Sequence, residues 1–120
     1  MDQELQTVLA TLLAARNNAQ VMHWQVKSLS QHLALGELYA AIDLVIDPLA
    51  EVFMGEYGEI GNMDADTSFS KEDPIEFISQ LQVRLADAHD KIPQDGYIVN
   101  KYEELQELVS RVKYKLENLK

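Results

Sequence analysis

Four stretches of this chain repeat apolar residues at steps of three and four, the spacing of one helix face. The last stretch carries the clearest pattern. Ile98, Tyr102, Leu105, Val109, Val112, Leu116 and Leu119 alternate steps of four and three without a fault. That is the seam of a helix packed lengthwise against others. The first stretch runs from about Asp2 to Lys27, on Leu5, Leu9, Leu12, Ala15, Ala19, Met22 and Val26. The second runs from about Gln31 to Met54, on Leu35, Leu38, Ile42, Val45, Leu49 and Phe53. The third opens at Asp73-Pro74 and carries Ile78, Leu81, Leu85, Ala88 and Ile92. Asp before Pro supplies an N-cap side chain and a first helical residue whose missing N–H costs nothing.

The joints between these stretches differ in length. Ser28-Leu29-Ser30 separates the first pair, with Ser30 expected as the N-cap of the second helix. Pro93, Asp95 and Gly96 make a short turn between the last pair. Gly55 to Glu72 is much longer and rich in glycine and polar residues. Extended, it reaches roughly 60 Å, more than the roughly 37 Å of one bundle helix. The chain therefore reads as all-α, a four-helix bundle in one domain over residues 1–120, two helical hairpins joined by a long crossover. Two residues disturb the second helix. Gly36 costs about 1 kcal/mol relative to Ala. Pro48 removes a backbone donor and is expected to kink the helix just before it.

Composition narrows the function classes. The 120 residues include 20 acids, 10 bases and no cysteine, for a formal charge of −10. Without cysteine there are no disulfides, thiolate metal sites or thiol nucleophiles. The acidic balance argues against direct nucleic-acid binding, which needs clustered cations. The densest basic group, Arg111, Lys113, Lys115 and Lys120, reads as cations placed at a helix C-terminus. No apolar run reaches eighteen residues, so no membrane span is expected. The acidic start lacks a secretory leader pattern, which with the missing cysteines points to the cytoplasm.

The residues able to bind metal sit on the first two helices. His23 lies in the apolar stripe of helix one, where a histidine reads either as a satisfied core residue or as a ligand. His32 begins helix two, and Asp43 projects on nearly the same line eleven residues later. Asp47 and Glu51 follow at steps of four, making a ladder of like charges. No Lys or Arg lies between Lys27 and Lys71. Such a ladder reads either as an acidic solvated edge or as an invitation to a cation. Imidazole and carboxylate together suit iron, zinc or manganese. Helices three and four offer no inward set. His89 reads as a surface or boundary residue, and Glu103, Glu104 and Glu107 fall outside the apolar seam. An internal site drawing on all four helices is therefore disfavoured. A site confined to one hairpin predicts ligands shared across a two-fold contact, hence a homo-oligomer of at least two copies.

The order His23-Trp24, His32, Leu38-Tyr39 and Asp47-Pro48-Leu49-Ala50-Glu51 resembles the signature of Dps proteins, the miniferritins. The similarity covers roughly residues 20 to 55. It implies a ferritin-like fold and an iron-binding protein with a ferroxidase site at a dimer interface. By that resemblance, His23 and His32 come from one subunit, and Asp47 and Glu51 from its neighbour. The sequence departs from the pattern in places. Gly36 stands where the family places an acidic ligand, Pro48 interrupts the Asp-to-Glu run, the stretch between the histidines is about three residues shorter, and no basic N-terminal tail is present. The run Gly55 to Ile60 and the ending Tyr114-Lys115-Leu116 are similar to small ferritin-like proteins of tailed bacteriophages, which implies the host cytoplasm. Gly36 keeps an alternative in view: a non-enzymatic helical interaction or structural protein that retained the fold and lost the site.

Overall fold

The computed structural model describes residues 1–63 and 68–120 and contains four α-helices: α1 (Gln3–Gln25), α2 (Leu29–Tyr57), α3 (Pro74–Ala88) and α4 (Gly96–Asn118). A single 3-10 turn, His89–Lys91, follows α3. Among the described residues there is no strand. Residues 64–67 of the expected connection lie outside the described residues.

Helices α1, α2 and α3 begin where a side chain accepts from their free amides, whereas Asp95 before α4 makes no such bond. Asp2 Oδ1 accepts from Leu5 N at 3.0 Å. Asp73 Oδ1 accepts from Ile75 N at 2.9 Å, with Pro74 next, as the sequence predicts. The second helix differs from its predicted start. Ser28, not Ser30, is the N-cap, accepting from Gln31 N at 3.4 Å, and the Ser30 hydroxyl supports it at 2.9 Å. The α1–α2 joint is therefore tighter than the sequence pattern suggests. At its far end α2 runs through Gly55 to Tyr57 and stops at Gly58. Gly58 takes φ +97° while its N–H bonds Met54 O. A left-handed residue at a helix stop favours glycine, so Gly58 ends the helix and Gly55 does not. Helix α2 is continuous through Pro48, which lies exposed on its surface.

Cross-helix bonds fix the directions. Arg16 meets Asp43 and His23 meets His32, so α1 and α2 are antiparallel. Glu37 meets Lys115, and Tyr57 meets Asp95, so α2 and α4 are antiparallel. Tyr102 meets Leu85 and Lys113 meets Gln82, so α3 and α4 are antiparallel. Helix α1 packs on α2 and α3, and α4 packs on the same two from the other side. The four stripes meet in one core. Leu12, Leu35, Leu38, Ile42, Phe53, Phe77, Ile78 and Val109 are fully enclosed. Phe69, from the segment before α3, is also buried and stacks edge-on against Phe77 at 5.3 Å. Four stripe residues fall short of the core: Val26, Val45 and Ala88 are half-buried, and Leu119 is exposed.

Candidate functional site: the seam of the first hairpin

Helices α1 and α2 share a polar seam on the outside of their hairpin. On α1 it holds Arg16, Gln20 and His23, spaced four and three apart, and on α2 it holds His32, Gly36, Tyr39 and Asp43. The two histidines are its centre. Their rings stack with centroids 3.7 Å apart and planes 16° from parallel. His23 Nδ1 lies 2.5 Å from His32 O, and His32 Nδ1 lies 2.7 Å from His23 O. A carbonyl can only accept, so each Nδ1 carries a proton and donates it. The bond from His32 also satisfies one of the last four carbonyls of α1, which have no partner within the helix. Each Nε2 is left without a hydrogen bond among the described residues.

Gly36 explains how the rings fit. A Cβ at that position would lie 3.1 Å from His23 Cε1 and 3.2 Å from His23 Nδ1. The missing side chain is thus the space into which the His23 ring packs, one turn beyond His32 on the same helix. Tyr39 closes the next turn, with its ring edge-on to His23 at 5.4 Å and the Arg16 guanidinium 5.3 Å above its centroid. Arg16 then grips Asp43 with two bonds, Nε to Oδ1 at 2.8 Å and Nη2 to Oδ2 at 3.2 Å. The fork is a paired, bidentate contact.

The predicted site residues therefore separate. The structure brings His23 and His32 together. Asp43 leaves the unpaired ladder, because its base comes from α1, where a search along α2 for Lys or Arg could not find it. Asp47 and Glu51 are exposed on the outer face of α2 and make no hydrogen bond or ion pair among the described residues. They lie 15 and 19 residues from His32, roughly 22 and 28 Å along the helix axis. Among the described residues no three His, Asp or Glu side chains of one chain converge on a common point. Any ion held by His23 or His32 together with Asp47 or Glu51 has to lie between two copies.

The rings also limit what they can hold. An imidazole lone pair lies in its ring plane. Two planes 16° apart at 3.7 Å do not meet within bonding distance of both rings. As placed, each Nε2 can serve one ion, and the two cannot chelate the same one. Donation of Nδ1–H to a backbone carbonyl is the support that ligating histidines commonly have, since it fixes tautomer and ring orientation.

Elsewhere, groups the sequence left unassigned acquire partners. Lys115 and then Arg111 bond Glu37 at 2.7 and 3.2 Å and hold its carboxyl below the ordinary range. The basic end of α4 is thus tied partly to α2 and is not simply a set of cations on a helix dipole. His89 is a half-buried boundary residue, as the sequence suggests. Its Nε2 is 3.0 Å from Glu103 and its Nδ1 3.6 Å from Asp90, and the bond to Glu103 raises its pKa. Tyr102 donates its buried hydroxyl to Leu85 O at 2.5 Å, and burial raises its pKa far beyond the ordinary phenol range. No helix among the described residues is long and apolar enough to cross a membrane.

No curated protein and no solved structure matches this chain. Residues 23–116, from the first histidine of the seam to the last buried leucine of α4, match the family described as a family of unknown function, DUF5856. The chain belongs to that family.

Proposed function

We propose that this chain is a ferritin-like bundle that binds iron, or a related transition ion such as zinc or manganese, between two copies joined along their α1–α2 hairpins, and that Fe(II) oxidation is its reaction. His23 and His32 of one copy would supply one Nε2 each, to two separate ions. Asp47 and Glu51 of the partner subunit would supply carboxylates. The oxygens suit hard Fe(III), and the imidazoles suit the divalent ion. The observation that carries the reading is the reciprocal pair of Nδ1–carbonyl bonds. It spends one nitrogen of each ring on the backbone and leaves the other open.

Two further features support association along this face. Leu33, Ala40, Leu44, Asp47 and Glu51 lie on one stripe of α2. Leu44 is 79% exposed there, an apolar residue without cover in a single copy. The ferritin-like order of helices is supported by the connection. Gly61 N bonds Gln6 Oε1 at 3.1 Å, and Asn18 Nδ2 bonds Ser70 O at 2.8 Å. Those anchor points, holding Gly61 and Ser70, lie twelve residues apart on α1, roughly 18 Å, which supports the reading of a crossover along the bundle.

The test is anaerobic Fe(II) titration of the full chain followed by oxygen, read by near-ultraviolet absorbance and by sedimentation. Expected is metal-dependent dimerisation and oxidation, both lost in His32→Gln and in Glu51→Gln. Oxidation unchanged in both variants would refute the site. A second reading, a helical interaction protein without metal chemistry, is favoured by the fit of the His23 ring into the space at Gly36. It predicts that both variants dimerise like the parent, with no dependence on metal.

A further inference from the structure

The charge of this bundle is strongly polarised along its axis. The start of α1, the ends of α2 and α3 and the start of α4 share one end, joined by Tyr57–Asp95 and by the amino group of Met1 on Glu59 O. That end carries Glu51, Glu56, Glu59, Asp90, Asp95 and Glu103. Lys91 and Lys101 are the bases near it. Apolar groups lie exposed among these acids: Tyr57 at 40%, Ile60 at 36% and Tyr97 at 49%.

The opposite end is different. There α1 turns into α2, α4 finishes and α3 starts, with the exposed Glu72, Asp73 and Glu76 on its own side. Trp24 is 67% exposed, Leu29 70% and Leu119 44%. Lys27 and Lys120 stand beside them, with no acid paired to either among the described residues. A tryptophan this exposed at a rigid helix turn is unusual for a surface meant to face water. An apolar tip flanked by free lysines complements an apolar face ringed by carboxylates.

We propose that copies of this chain associate end to end, the Trp24–Leu29 tip of one seated on the acidic end of the next near Glu59 and Ile60. The contact is heterologous, because the two surfaces differ, and it is open unless the rotation closes a ring. It uses neither histidine and does not rest on the metal reading.

The experiment is sedimentation velocity in chelator. Every chain carries Leu44→Glu to remove the hairpin-side contact. The tip variant adds Trp24→Glu and Leu29→Glu, and the other-end variant adds Glu59→Lys and Ile60→Lys. The runs cover a rising series of chain concentrations. With both ends intact, the mean mass should grow with concentration. Each single-end variant should stay monomeric, and an equimolar mixture of the two should form one-to-one pairs and nothing larger. Monomers throughout with intact ends would overturn the proposal. So would self-association of either single-end variant, or failure of the mixture to pair.

Discussion

Replacing Gly36 by alanine asks whether the seam is built as described. On an ordinary helix the change stabilises by about 1 kcal/mol, because alanine loses less backbone entropy. Here the new Cβ would meet His23 at 3.1 and 3.2 Å, closer than comfortable van der Waals contact, and the ring must retreat by a few tenths of an ångström. The ring is fixed by stacking on His32 and by its own short bond to His32 O, so retreat weakens both. The bond and the stacking contribute about 1 kcal/mol each, so their loss outweighs the helix gain by about 1 kcal/mol. Gly55 supplies the control on the same helix, since nothing lies within 4 Å of a Cβ there. Gly55→Ala should stabilise by up to about 1 kcal/mol. In a His23→Ala background the clash disappears, and Gly36→Ala should then stabilise as well, giving a coupling of roughly 2 kcal/mol in the double-mutant cycle. Urea unfolding followed by circular dichroism measures all four. Gly36→Ala as stabilising as Gly55→Ala, with no coupling to His23, would refute the packing argument.

Tyr102→Phe removes a buried hydroxyl and leaves Leu85 O without that donor, so a loss of about 1–2 kcal/mol is expected in denaturant melts. His89 gains its raised pKa in the folded state chiefly from Glu103. A raised folded pKa adds stability that is complete below the unfolded pKa and is lost as pH rises through the folded one. The stability difference between the native chain and His89→Gln should therefore be larger at pH 5 than at pH 9, and a difference independent of pH would remove the ion pair from the account. Pro48→Ala restores the N–H missing from the middle of α2 at an exposed position. It should raise stability by about 2 kcal/mol, read as a higher urea midpoint at unchanged slope.

Much of the bundle is legible in the sequence because helix burial is periodic. The stripes on α1, α3 and α4 name most of the core, and Asp73-Pro74 marks its helix start to the residue. The errors come where several local signals compete. Ser28 and Ser30 are both acceptable caps, and only the position of α1 against α2 selects Ser28. Gly55 and Gly58 are both acceptable stops, and only the backbone angle at Gly58 selects the second.

The candidate site divides the same way. Local spacing by itself placed His23, His32, Asp47 and Glu51 on the first hairpin, because residues along one helix share a face at fixed intervals. What lies across the seam depends on how two helices are set against each other, which no interval along one helix encodes. Tertiary packing alone decided that the imidazoles stack and bond each other's backbone, that Gly36 makes room for a ring, and that Asp43 belongs to Arg16. The distance of Asp47 and Glu51 from His32, most of a helix, was already set by their spacing in the sequence, since a rigid helix cannot fold back on itself to join them.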